Sequence, residues 1–453
     1  MLAADRANDA LAFEDAVKYL NSAIDIVQAR GNDTYARLRS RKAVSLQGSE
    51  LIEESIASLH DAVAIADSID LEDELILQRC RMLLDIWRGH EAVEDLEKLL
   101  ARTKACSDRH KELEAQRWMG RAYYVVSLDR VRFTQKTGDA YNHTIVLGRE
   151  LGEMKIVGKP LAQTAQLLDY WPDYLGEVKM KLEEADRIAR EIDSEDIAID
   201  VATMRLAPQR YLDEYEFGEA VLEKLLVKRD PIRLNAHYFR MMWSSLAAGW
   251  LERCAQICGD GVALAYRIGT LPVQYPSIKA MALMELSRLD EGWQSIEGEI
   301  PDDEHRFGAA LQQLAKFQFE LNCGATDAAI ARAPHVIGEA KILSRMWMLS
   351  WLTSSLAFTQ VWNEDTARLA VLNRLIQDTG MSPRTIGKSA LKFASGALRE
   401  LAFELRSIVN GPDRPMEVRN KSQAILLLGL ALVKQGDLNE ALEVTSKGVE
   451  LCE

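Results

Sequence analysis

The stretch QAILLLGLALVKQGDLNEALEVTSKGVEL, near the C-terminal end, constrains the fold of this chain more than any other segment. Ile425, Leu428 and Leu432 recur at steps of three and four residues, the period of one helical face. Gly436-Asp437-Leu438 then breaks the run, and a second helical stripe follows. Small residues stand at Gly429 on the first helix and at Ala441 and Gly448 on the second. Where small residues meet, two helices approach closely, while the large ones between them reach towards the next pair. Such a hairpin cannot bury its apolar faces alone, so the pattern predicts a stack of similar units.

Second-helix stripes of the same kind recur upstream. They appear in FEDAVKYLNSAI from Phe13, IEESIASLHDAV from Ile52, EAVEDLEKLL from Glu91, VKMKLEEADRIA from Val178 and FGEAVLEKLL from Phe217. Their spacing is roughly 40 residues, with one member missing between Leu99 and Val178. First helices fit between them in YARLRSRKAVSLQG and ELEAQRWMGRAYYVV. Leu206 to Leu212 lead towards a further turn, where Pro208 kinks or restarts the helix. Beyond about residue 230 the pattern loosens but stays helical, as in HYFRMMWSSLAAGWLERCAQI and MWMLSWLTSSLAFTQVW.

The final repeat resembles the tetratricopeptide consensus. That resemblance implies an all-α fold, a right-handed superhelix of about eleven hairpins at a period of about 34 residues with some longer members. One continuous solenoid is expected, with regular repeats over 1–230, divergent repeats over 231–453 and a soft boundary near Pro231 or Leu271. Four irregular segments are expected to interrupt it. Asp129–Tyr141 reads as a lengthened hairpin loop carrying Arg130, Arg132 and Lys136, and Asp169–Tyr174 as an aromatic, acidic turn. Pro301-Asp302-Asp303 and Gly411-Pro412-Asp413 read as bends.

Composition agrees with such a stack. Only 11 prolines and 26 glycines punctuate 453 residues, fewer turn residues than a many-stranded fold needs. The net charge of −14 disfavours nucleic-acid and membrane partners over most of the surface, because an acidic field repels phosphate and anionic lipid. The longest apolar run, Ala424 to Val433, is too short to cross a bilayer. Six cysteines form no disulfide framework, and the N-terminal residues have no signal-peptide pattern, so a cytoplasmic protein is expected. Cys254 and Cys258 share a helical face, but they supply only two ligands and read as buried small hydrophobes.

No phosphate-binding loop, nucleophile elbow or metal-ligand spacing occurs. The seven histidines are scattered and read as surface or capping residues. The Glu-rich stretches read as solvated faces with i,i+4 ion pairs. No enzymatic activity, cofactor or metal is therefore expected.

The first residue falls inside a first helix and the last closes a second helix, which suggests an arm of something larger. The stretch Ala3-Ala4-Asp5-Arg6-Ala7 and the repeats after it resemble the tetratricopeptide region of large bacterial signalling ATPases with cyclase-like or winged-helix output domains. This resemblance implies a regulatory or partner-docking arm, bound to a protein, a peptide or adjoining domains. Tetratricopeptide arrays bind through the concave face lined by first helices. In that register the candidate positions are Arg37 and Gln47 in one repeat, and Glu114, Arg117, Arg121 and Tyr124 in another. Arginines beside an aromatic ring suit bidentate capture of a carboxylate. An alternative is a small-molecule receptor with a Trp- and Met-lined pocket at Trp243, Trp347 and Trp351, although such a stripe more often forms core.

Overall fold

The computed structural model describes residues 2–27, 32–127, 133–168, 175–206, 213–228, 230–268, 272, 274–298, 306–343, 346–362, 366–380, 385–410 and 418–452. Among these residues the fold is all-α, with 24 α-helices, one short 3-10 turn (Gln360–Trp362) and no strand. The chain divides into two compact units. Unit 1 comprises Met1–Ala207, Glu216–Arg240 and Asp260–Pro272; unit 2 comprises Pro208–Tyr215, Met241–Gly259 and Val273–Glu453.

The helices run in hairpin order. The first ten are α1 (Leu2–Asp9), α2 (Phe13–Val27), α3 (Asn32–Gly48), α4 (Ile52–Ile65), α5 (Ile69–Asp85), α6 (Gly89–Ala105), α7 (Arg109–Ser127), α8 (Phe133–Leu151), α9 (Met154–Leu168) and α10 (Leu175–Glu191). Next come α11 (Glu195–Arg205), α12 (Asp213–Lys228), α13 (Pro231–Ala248) and α14 (Leu251–Arg267). The remainder are α15 (Tyr275–Glu285), α16 (Leu289–Ile296), α17 (Arg306–Asn322), α18 (Thr326–Ile342), α19 (Met346–Thr359), α20 (Thr366–Thr379), α21 (Thr385–Ala394), α22 (Leu398–Val409), α23 (Val418–Gln435) and α24 (Leu438–Cys452).

One turn design joins the hairpins. The residue after the first helix takes a left-handed backbone: φ is 65° at Glu50, 67° at Trp87, 78° at Gly249, 60° at Ser287, 76° at Gly324 and 90° at Gly436. The next amide then reaches back across the last turn, as in Leu51 N to Leu46 O at 2.9 Å and Asp437 N to Leu432 O at 2.9 Å. This is a Schellman closure, which satisfies carbonyls that the helix end leaves open.

Small residues set the helix contacts. A Cβ on Gly429 would lie 2.7 Å from the Thr445 side chain, and one on Gly448 would lie 2.7 Å from Ile425. The last repeat is thus close-packed at the glycines that its sequence marks. In three hairpins a small polar side chain of one helix donates to a carbonyl of the other: Ser55 Oγ to Ala43 O (2.6 Å), Cys80 Sγ to Ala92 O (3.8 Å) and Cys254 Sγ to Met242 O (3.4 Å).

One expectation about the elements needs correction. Phe133 to Tyr141 form the start of α8, not a loop, and α8 supplies the second helix that appeared to be missing. The 24 described helices correspond to twelve hairpins, in line with the expected count of about eleven. Cys254 and Cys258 are buried as expected, and so is Cys80, whereas Cys106 and Cys323 are exposed, each in the turn after a helix. Residues 129–132 and the segments at 169–174, 301–303, 411–413 and Pro208 lie outside the described residues. No described helix is long and apolar enough to cross a membrane.

Candidate functional site

In unit 1 the first helices α3, α5, α7, α9 and α11 and the start of α13 line a cavity of about 390 Å³. Each contributes through helical geometry, because residues four apart share a face. Arg81 and Asp85 come from α5, Arg117 and Arg121 from α7, Lys159 and Gln163 from α9, and Asp196 and Asp200 from α11. Arg233 follows on α13, with Gln47 of α3, Trp87 and Trp118 completing the part of the lining used below. The lining carries six basic side chains (Arg81, Arg117, Arg121, Lys159, Lys228, Arg233) against four carboxylates (Asp85, Asp196, Asp200, Asp230). The cavity is therefore cationic within an acidic chain.

The two sides of the cavity differ. On α11 and α13 the charges are matched. Arg233 donates to Asp196 at 2.5 Å and lies 3.6 Å from Asp230, and Lys159 lies 3.7 Å from Asp200. The Arg233 hydrogen bond holds the Asp196 carboxyl down at about 2. Burial lowers Lys159 below the usual lysine range, with Asp200 opposing it.

On α5 and α7 the balance is poorer. Among the described residues Arg117, with a side chain 16% exposed, pairs with Glu114 alone, at 3.4 Å, and stacks over Trp118 at 4.5 Å from the ring centre. Burial lowers its pKa, which marks a guanidinium short of counter-charge. Arg121 lies 5.4 Å from the Trp87 ring centre and 5.3 Å from that of Tyr124, and no carboxylate among the described residues comes within ion-pair distance. The Asp85 side chain is 20% exposed and 3.9 Å from Arg81. Burial pushes its carboxyl up to about 6, against the pull of Arg81 and Arg121. Trp87 combines a positive φ of 67° with a ring 6.2 Å from that of Phe239.

Of the positions expected on the concave face, Gln47, Arg117 and Arg121 line this cavity together. Glu114 stands beside it as the partner of Arg117. Tyr124 is buried, beneath Arg121. Arg37 is exposed and pairs with Glu74 at 3.6 Å, apart from the cavity lining. Sequence reasoning missed Arg81, Asp85, Lys159 and Trp87.

In unit 2, Trp243 and Trp351 lie 6.3 Å apart between ring centres, tilted by 52°. The nearby Met241, Met242 and Met348 are fully buried. The side chains of Trp347 and Trp362 lie outside the described residues.

His237 corrects the reading of the histidines as surface residues. It is fully buried, with Nδ1 3.0 Å from Thr203 Oγ1 and Nε2 2.8 Å from Gly218 O. The carbonyl requires an N–H on Nε2, and in the neutral ring that burial favours, Nδ1 accepts from the threonine hydroxyl. Burial lowers its pKa to about 4.

No family model matches the chain, and no curated protein does. Solved structures with a similar course include the human IFIT1 dimer with m7Gppp-AAAA: 14% identity, TM-score 0.44, covering 98% of this chain and 95% of that one. Yeast Tom70 is similar at 13% identity and TM-score 0.42, covering 95% of this chain and 94% of that one.

Proposed function

We propose that this chain is a binding scaffold that receives an acidic group of a protein or peptide partner in the unit 1 cavity. The observation that carries this reading is Arg121: a guanidinium between two aromatic rings, facing a cavity, with no carboxylate partner among the described residues. A guanidinium in that setting offers two parallel N–H groups to a carboxylate, and desolvation strengthens the contact. No catalytic role is proposed. The resemblance of the N-terminal repeats to those of bacterial signalling ATPases supports a regulatory arm of a larger signalling protein, acting in the cytoplasm.

Immobilised peptide arrays, with acidic, neutral and basic members, test the binding reading. The wild-type chain is expected to retain acidic peptides, and Arg121→Gln to lose them by tenfold or more with an unchanged circular dichroism spectrum. Arg37→Gln, outside the cavity, serves as the control and should bind as wild type does. Equal retention by wild type and Arg121→Gln would discard the cavity as the binding site.

The cavity size favours a second reading, a small-molecule sensor. A volume of about 390 Å³ lies in the range of small-ligand pockets. The ligand would then sit against Trp87 and Trp118 and not at Trp243 and Trp351. Quenching of tryptophan fluorescence that is lost in Trp118→Phe would support it.

A further inference from the structure

We propose that the unit 1 cavity is a site for organic anions whose occupancy is coupled to uptake of a proton by Asp85. The proposal rests on the reading of this cavity as the binding site and adds how solution pH controls it.

The geometry comes first. Asp85 and Arg121 line the same cavity, on neighbouring first helices α5 and α7. The charged groups that act on Asp85 are Arg81 from its own helix, Arg121 from α7, Lys159 from α9 and Asp230 at the start of α13. Asp196 and Asp200 of α11 face the same space but are engaged by Arg233 and Lys159. Asp230 is likewise held by Arg233, at 3.6 Å, so Asp85 is the lining carboxylate that shares its cations with whatever enters.

An anion placed on Arg121 changes the local balance in two ways. It neutralises one of the three cations that keep Asp85 ionised, and it adds a like charge in a desolvated space. Both effects favour the protonated acid. The free carboxyl already titrates near 6, so protonation lies within ordinary solution pH. By linkage, a ligand that raises this pKa binds more tightly as the pH falls. His237, beside the cavity, titrates near 4 and stays neutral throughout.

The probe is 8-anilinonaphthalene-1-sulfonate, an aromatic anion whose sulfonate stays ionised from pH 5.5 to 7.5. Its fluorescence reports Kd directly for the full chain. Wild type is expected to bind about tenfold more tightly at pH 5.5 than at 7.5, corresponding to a bound-state Asp85 pKa raised by about 1.5 units. Asp85→Asn, a neutral isostere, should bind at both pH values as wild type does at pH 5.5. Arg121→Gln should bind weakly at every pH. Retention of the pH dependence in Asp85→Asn overturns the proton coupling and leaves the cavity reading standing. Wild-type affinity in Arg121→Gln, or no dye binding by wild type at pH 5.5, overturns the cavity itself. Circular dichroism at both pH values separates these outcomes from unfolding.

Discussion

At the scale of single residues, His237 gives the clearest pH signature. The unfolded chain takes up a proton there below about pH 6.5, whereas the folded chain resists until about 4. Its contribution to stability is therefore full above pH 6.5 and falls away as the pH drops towards 4. Urea unfolding should lose about 2–3 kcal/mol through this residue between pH 7.5 and 4.5. Asp85 works in the opposite direction, since a raised carboxyl pKa adds stability as the pH falls from about 6. The difference between wild type and His237→Gln isolates the histidine: the variant should start less stable at pH 7.5 and show a flatter slope. An identical slope would mean that the ring is not held neutral. Trp87 offers a backbone test. A bulky residue at φ 67° carries a left-handed penalty of about 1–2 kcal/mol that glycine does not. Trp87→Ala should therefore be more destabilising than Trp87→Gly by about 1 kcal/mol, although glycine is ordinarily the worse replacement.

Residue identity hid His237 because a lone histidine in sequence carries no sign of burial. Its partners, Thr203 and Gly218, come from different helices. The cavity was half legible for a related reason. The concave register in two repeats points to Arg37, Gln47, Glu114, Arg117, Arg121 and Tyr124, of which Gln47, Arg117 and Arg121 line the cavity. Carried one repeat back it lands on Arg81 and Asp85, and one repeat forward on Lys159 and Gln163, all of which line the cavity.

At the scale of elements, α7 and α8 make a close contact through a glycine. A Cβ on Gly120 would lie 2.5 Å from the ring of Tyr141, which is 1% exposed and has no room to move. Overpacking a buried ring costs about 1–3 kcal/mol, and alanine recovers about 1 kcal/mol of helix propensity over glycine. The overpacking wins. Gly120→Ala should lower unfolding free energy by up to about 2 kcal/mol, read from the denaturant midpoint. Adding Tyr141→Leu removes the clash, so the glycine change should then cost little; a full cost in that background would assign it to another contact. The same helix shows why α8 was missed in the sequence. Its buried face includes Thr137 and Thr144 among Tyr141 and Ile145, so the apolar stripe is broken by hydroxyls. Thr144 satisfies its own hydroxyl on the Ala140 carbonyl at 2.8 Å, which removes the cost of burial without leaving a mark in the hydrophobic period.

Across the whole molecule, period and charge tell different stories. Left-handed turn residues at 11, 50 and 87, and again at 249, 287 and 324, set a repeat longer than the consensus period of about 34 residues. Charge was legible in total but not in placement. The −14 net charge disfavours nucleic-acid and membrane partners over most of the surface, yet the cavity gathers six cations against four carboxylates. The two facts make a kinetic prediction. An approaching anion first meets the field of the whole chain, which is repulsive and reaches about 10 Å at 0.1 M ionic strength. Only inside the cavity does it meet Arg121. Added salt screens the outer repulsion more than the partly buried contact, so association of the anilinonaphthalene sulfonate should speed up between 20 and 200 mM salt. Stopped-flow fluorescence reads this directly, with a rise of about twofold or more expected in kon. A basic patch on the open surface behaves in the opposite way, because its attraction is what salt removes. A kon that falls with salt would place the anion on such a patch and take it out of the cavity.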